Sequence, residues 1–191
     1  KFSDSVTSIR ASAFLNCINL TDVTIPDSVT NIGVSSFKGC TNLKSITLPF
    51  VGESRDATSS TSVKFNHIFG GYEVPKSLEN VIITDATSIG YSAFSGCTDL
   101  TSIIIPDSVT SIGCNAFYYC TSLKSIRIPD SVTVINSYAF SNCTSLETVE
   151  MGNGVTTICD LAFNNCASLV SIKIPDTVTS ICHSAFELCT S

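Results

Sequence analysis

One stretch, Pro106 to Ile128 (PDSVTSIGCNAFYYCTSLKSIRI), recurs in close copies from one end of the chain to the other. Its phenylalanine returns as Phe14, Phe37, Phe94, Phe117, Phe140, Phe163 and Phe186, at intervals of 23 residues everywhere except between Phe37 and Phe94. A fixed period of this length excludes most globular folds, because each unit is one supersecondary piece that must stack on its neighbours to bury its apolar face. A single unit carries too few inward side chains to offset a backbone ordering cost of about 1 to 2 kcal/mol per residue. The chain therefore reads as a single solenoid over residues 1–191, of about eight units.

Within a unit the apolar spacing gives the route of the chain. Leu20, Val23 and Ile25 place Val and Ile on one side of Thr24, the period of a strand with an inward and an outward face. Pro26 removes a ladder donor and Asp27-Ser28 supplies turn chemistry, so the chain reverses there. Val29 to Ile32 is a second short extended segment. Gly33 permits a sharp departure, and Ser35-Ser36-Phe37 reads as one helical turn ending near Gly39. The expected fold is an α/β repeat solenoid, mostly strand and loop, with two parallel strand stacks joined by short helical turns. At about 4.8 Å per stacked strand, eight units make a rod of roughly 38 Å.

The repeat is interrupted at 49–78. A polar Ser/Thr-rich segment is followed by Phe65-Asn66-His67-Ile68-Phe69-Gly70-Gly71 and Val74 to Leu78, a distorted unit with Phe69 in the phenylalanine slot. Insertions of this length are either tolerated at a repeat edge or contact a partner. Glu53, Arg55, Asp56 and Lys64 are the charged candidates for such a contact.

Charge narrows the partners. Sixteen acidic against ten basic residues leave a net charge of -6, with no basic run to track a phosphate backbone, so nucleic acid is not expected. No stretch reaches the 18 or more consecutive apolar residues of a membrane helix, and the first residues lack signal-peptide organisation. The chain starts and stops inside a unit without a polar cap, the expectation for a piece of a longer protein or for a unit that stacks end to end.

The run I-P-D-S-V-T-x-I-G-x-x-A-F-x-x-C-x-x-L, as in Ile105 to Leu123, closely resembles the BspA-like, or treponemal-type, leucine-rich repeat family, and the likeness extends over essentially all 191 residues. The resemblance implies a leucine-rich-repeat solenoid, display on the cell surface or secretion, and an adhesin-like role toward host or neighbouring-cell proteins, extracellular-matrix proteins among them. It implies no cofactor.

Ten cysteines invite a metal or disulfide reading. Cys17, Cys40, Cys97, Cys120, Cys143, Cys166 and Cys189 each follow the repeat phenylalanine by three residues, and no C-x-x-C pair supplies zinc-site spacing. They are expected to form a structural ladder of buried free thiols, filling space and satisfying loop backbone groups. Cys159 and Cys182 differ, since they occupy a slot held elsewhere by Arg10, Gly33, Gly90, Gly113 and Asn136. They lie in adjacent units, which leaves two readings open, a disulfide and two separate thiols. His67 and His183 stand at non-equivalent positions outside any nucleophile or metal motif. The row Thr7, Thr30, Thr87, Thr110, Thr133, Thr156 and Thr179 is structural in expectation. No catalytic residue and no metal site emerges. Asn19-Leu20-Thr21 and Asn142-Cys143-Thr144 match the glycosylation pattern, yet their middle residues are core slots.

Function then rests on exposed faces. The outward position of the first strand gives the row Thr24, Thr47, Ile82, Ile104, Arg127, Glu150 and Lys173. Ile82 and Ile104 form a small apolar spot beside alternating charges, the layout of an interaction face; the same charges are equally readable as cross-strand pairs that offset one another. The favoured reading is a non-catalytic protein-binding module that engages a protein or glycan with this face and the insertion. The alternative is a structural protein that self-assembles end to end through its uncapped units.

Overall fold

The computed structural model describes residues 2–54, 64–71 and 74–191. Among them run fourteen short strands, β1 (Ser8–Ile9), β2 (Asp22–Thr24), β3 (Asn31–Ile32), β4 (Ser45–Leu48), β5 (Asn80–Ile83), β6 (Ser88–Ile89), β7 (Ser102–Ile104), β8 (Ser111–Ile112), β9 (Ser125–Ile128), β10 (Val134–Ile135), β11 (Thr148–Met151), β12 (Thr157–Ile158), β13 (Ser171–Ile172) and β14 (Ser180–Ile181). Each regular turn of the solenoid contributes one strand to each of two stacks. The first stack runs β2-β4-β5-β7 and then β9-β11-β13; the second runs β1-β3 and then β6-β8-β10-β12-β14. All these pairings are parallel, as crossing one full turn between paired strands requires. Alternation along each strand sends Val81, Ile103 and Ile126 into the core, where they join Leu, Phe, Ala and Cys side chains from the rest of the turn.

The expected helical turn around each phenylalanine is absent. In a helix every N–H bonds within its own segment, whereas here the donors alternate. Ala13, Leu15 and Cys17 donate back three residues, to Arg10, Ser12 and Phe14, at 3.1–3.2 Å. Ser12, Phe14 and Asn16 donate instead to Val34, Ser36 and Lys38 of the next turn, at 3.2, 2.7 and 2.7 Å. The redirection needs a left-handed residue two before and two after each repeat phenylalanine, and all seven turns have both, from Ser12 and Asn16 to Ser184 and Leu188, with φ between 51° and 77°. Asn, Ser and Gly suit these positions, but Tyr119, Tyr138, Leu161 and Leu188 adopt them against a cost of about 1 to 2 kcal/mol each. Their own inter-turn bonds, to Ser141, Asp160 and His183, hold Tyr119, Tyr138 and Leu161 there. The segment is thus a chain of consecutive turns inside an all-β solenoid.

Behind this segment the phenylalanine rings stack. Phe94, Phe117, Phe140, Phe163 and Phe186 form one column with centroids 5.1–5.3 Å apart and planes within 6°; Phe14 and Phe37 stack in the same way at 5.1 Å. Three side-chain ladders bind successive turns besides the backbone. Ser28, Ser108 and Thr177 hydroxyls donate to Val6, Ala86 and Val155 carbonyls at 2.7–2.8 Å. Thr30, Thr110, Thr156 and Thr179 donate to the threonine carbonyl one turn back. The Cys40, Cys120, Cys143, Cys166 and Cys189 thiols donate to the carbonyl of the preceding turn's phenylalanine at 3.2–3.3 Å.

The irregular unit is a dislocation in this lattice. A five-residue 3₁₀ helix, Phe65–Phe69, ends at Gly70 in the left-handed conformation. On one side Phe37 N–H bonds to Ile68, the residue before Phe69; on the other, Phe65 N–H bonds to Ala93, the residue before Phe94. Phe69 therefore holds the phenylalanine register toward Phe37, as expected, while Phe65 holds it toward Phe94 and packs on that ring at 5.0 Å. The four-residue offset is taken up by the helix. The second stack is interrupted at the same level, where Glu53 accepts from Ile32 N–H at 2.7 Å and Ser54 pairs antiparallel with Asn31. Tyr72, three residues after Phe69 and so level with the cysteine slot, lies outside the described residues.

Three measurements follow from this packing. Ser36 fills a slot that is alanine in every other regular turn, and its hydroxyl is fully buried with no hydrogen-bond partner. Ser36→Ala should raise stability by about 1 kcal/mol in denaturant unfolding, because an unpaired buried hydroxyl costs about 1 to 3 kcal/mol. Gly154 fills the slot of Ser28, Ser108 and Ser131, yet a Cβ there would overlap the Asp130 carbonyl oxygen, and one at Gly152 would meet Pro129 backbone at 2.5 Å. Gly154→Ser restores the repeat pattern but should destabilise by about 1 to 3 kcal/mol through overpacking.

The third concerns the thiol ladder. Burial pushes the Cys97 and Cys143 thiols up to about 12 and holds Cys120 and Cys166 well above the ordinary range. The unfolded chain releases such protons from about pH 8.5, whereas the folded chain keeps them to about pH 12, so this stability is complete below about pH 8.5 and is lost as pH rises through that window. Under reducing conditions the urea midpoint should fall steadily above about pH 9, and Cys143→Ala should make the decline shallower.

Candidate functional site

Strand alternation leaves one side chain of each first-stack strand pointing outward, and ladder register aligns those side chains. Thr24 pairs with Thr47, Thr47 with Ile82 and Ile82 with Ile104, then Arg127 with Glu150, with Lys173 one residue beyond β13. The register breaks once, between β7 and β9, which belong to separate ladders. Thr47 and Ile82 are half-buried; Thr24, Arg127, Glu150 and Lys173 are exposed, and Ile104 leaves 55% of its surface in solvent. A large aliphatic side chain at that exposure, beside a half-buried isoleucine, is an apolar spot on a polar surface.

Next to it the charges are organised. The Arg127 guanidinium donates through Nη1 to Asp107 Oδ1 at 2.7 Å, and its Nε lies 4.0 Å from Glu150 Oε1. The hydrogen bond to Asp107 and then its charge raise the Arg127 pKa. Arg127 thus bridges a carboxylate of the preceding proline turn and one of the following strand. Both carboxylates are more than three-quarters exposed, so the pairs orient the guanidinium more than they stabilise the fold. Between Arg127, Glu150, Lys173, Ser125, Met151 and Asn153 lies an open groove of about 600 Å³. Asp107 escaped the sequence reading because its slot is a turn aspartate in every regular unit but the one with Asn153; only the outward arginine 20 residues later singles it out.

The insertion does not join this face through its described ends. Glu53 is tied to β3 of the second stack, and Lys64 opens the 3₁₀ helix that lies in the phenylalanine register. Arg55 and Asp56 lie outside the described residues. Tyr91, Tyr119 and Tyr138, 40–55% exposed, decorate the phenylalanine turns. Sequence reasoning passed over them, and the available signal was their place in slots held in most other turns by small or polar residues.

The remaining candidates separate clearly. Cys40, Cys97, Cys120, Cys143 and Cys166 are buried, Cys189 is half-buried and Cys17 is exposed. Cys159 and Cys182 carry free, partly buried thiols. His67 presents a buried, unpartnered Nε2 in the irregular unit, and His183 lies beside Ser184, with 3.3 Å between Nε2 and the hydroxyl. Asn142 is held by Asn165 at 2.8 Å, and Cys143 beside it is core. Among the described residues no group of three or more His, Cys, Asp or Glu side chains is arranged to hold a metal ion, and no helix is long and apolar enough to cross a membrane.

Comparison with known proteins bears on the same slots. The chain is similar over 97% of its length to the leucine-rich repeat protein of T. pallidum, with 30% identity and a TM-score of 0.57, covering 71% of that chain. It is similar over 98% of its length to a leucine-rich cell surface protein of Faecalibacterium prausnitzii, with 32% identity and a TM-score of 0.61, and spans half of that chain. Comparison with curated proteins finds no match. The matches name leucine-rich repeats and no enzyme family. The model of the BspA type leucine-rich repeat region matches residues 1–66 and 72–191 in six copies. With the repeat slots, the parallel solenoid and this match in agreement, the chain belongs to the BspA-type leucine-rich repeat family.

Proposed function

We propose that the chain is an adhesin-like binding module of a cell-surface or secreted protein, and that it meets a host or neighbouring-cell protein with the outward row of its first strand stack. The row itself carries the reading. Its members stand in register within each of two ladders, yet they change from Thr to Ile to alternating Arg, Glu and Lys along the stack. Ile82 and Ile104 supply an apolar centre; Arg127, held by Asp107, and Lys173 supply a charged margin, with the groove between. Interfaces combine a desolvated centre with a polar rim in this way, and a support that does not reorganise reduces the cost of ordering on binding. The likeness to a leucine-rich cell surface protein supports display outside the cell.

Surface capture of the intact protein against extracellular-matrix proteins is the first test, with Ile104→Asp and the double variant Arg127→Glu, Lys173→Glu beside the parent. Each should weaken binding at least ten-fold, about 1.4 kcal/mol, with unfolding midpoints close to the parent's. Ser111→Lys, on the exposed side of β8 in the second stack, should bind as the parent does. Parental affinity in both face variants would remove this face from the interaction.

A further inference from the structure

The half-buried slot that follows each second-stack strand holds cysteine in two adjacent turns, and the geometry there favours chemistry. β12 and β14 pair in parallel with Thr157 opposite Ser180 and Ile158 opposite Ile181, so Cys159 and Cys182 are the next residues out from the ladder. Cys182 N–H bonds to Ile158 at 2.8 Å, as Cys159 N–H bonds to Ile135 at 2.9 Å, which holds both backbones in the same conformation one turn apart. Directly stacked strand positions lie about 4.8 Å apart, inside the Cα window of about 4.4 to 6.8 Å that disulfides occupy. Both thiols are free and partly buried.

From this we propose that Cys159 and Cys182 are an oxidation site, closing a reversible disulfide between adjacent turns that fastens β12 to β14. The other thiols are poor competitors. Cys120, Cys143 and Cys166 are fully buried and each donates to a phenylalanine carbonyl, so thiolate and access are both denied. Cys114 is partly buried, but its own slot holds Tyr91 and Ser137 on the neighbouring turns. Around the pair, Ser180 Oγ lies 3.9 Å from Cys182 Sγ, and burial, then Cys182, Asp160 and Cys114, raise the Cys159 thiol; Asp160 also accepts from His183 N–H at 3.0 Å.

The oxidant is a low-molecular-weight disulfide such as oxidised glutathione. One protein thiol loses its proton and attacks a sulfur of the oxidant, breaking its S–S bond and releasing one small thiolate; the second protein thiolate then attacks the protein-side sulfur of the mixed disulfide and expels the other. Two protein thiols lose two electrons and two protons, and the oxidant becomes two thiols. The closed loop spans one period and fixes two turns that pair through only two residues on each strand.

The test uses the full chain, reduced and then exposed to oxidised glutathione. Titration in denaturant should fall from ten thiols to eight, ten less the two consumed, with the mass lower by two hydrogens. Cleavage after Arg127 and Lys173 should leave residues 128–173 joined to residues 174–191 through sulfur, and the oxidised chain should unfold at a higher temperature than the reduced one. Cys159→Ser and Cys182→Ser should each abolish the link, and Cys114→Ser should keep it. Ten surviving thiols, a stable glutathione adduct in place of the link, or a link that persists in Cys159→Ser through Cys166 and Cys189 would each overturn the assignment.

Discussion

Backbone hydrogen-bond satisfaction in the phenylalanine turns is the constraint on which the rest of the solenoid depends. Half of the N–H groups there close tight turns within one unit, and the other half reach the next unit, so no unit can satisfy itself. The left-handed residues that aim those donors outward are tolerable only because the neighbouring turn receives them. The alanines before the later phenylalanines fit the same geometry: Ala116, Ala139, Ala162 and Ala185 are buried, and their carbonyls take the N–H of the preceding turn's phenylalanine while the ring behind stacks. Cooperativity along the rod follows, since losing one turn orphans the donors of the turn before it.

The side-chain ladders explain which positions are free to vary. Ser or Thr after the turn aspartate, Thr before the second strand and Cys after the phenylalanine each spend their donor on a carbonyl one turn back. The outward position of the first strand makes no such bond in any turn for which a ladder is observed, and it is there that Thr, Ile, Arg, Glu and Lys alternate. A repeat of this kind separates upkeep of the fold from recognition by assigning them different rows.

The irregular unit shows what happens when that lattice is forced out of step. Its 3₁₀ helix keeps the phenylalanine register on both sides by using Phe69 toward one neighbour and Phe65 toward the other. Ring stacking, which needs parallel planes, does not survive the change; Phe65 meets Phe94 tilted at 39°. Ser36, the one regular departure from alanine in its slot, faces this unit, and its unpaired hydroxyl marks the level at which the packing is least resolved.

Periodicity in the chain was enough to determine a stacked solenoid, its two parallel strand stacks, the inward residues and the thiol ladder, because each of these repeats one local pattern against an identical neighbour. The same periodicity placed Thr24 through Lys173 in one row. Tertiary structure decided what depends on comparing two turns in space. The segment around Phe37 has the composition of a helical turn, and only the next turn's carbonyls, competing for alternate N–H groups, make it a run of turns instead. Arg127 finds Asp107 because the proline turn of one unit leans over the strand of the next, a relation that no single repeat contains. The register that sets Cys159 and Cys182 one above the other, both free and partly buried, likewise comes from the stack, where sequence supplied only their adjacency.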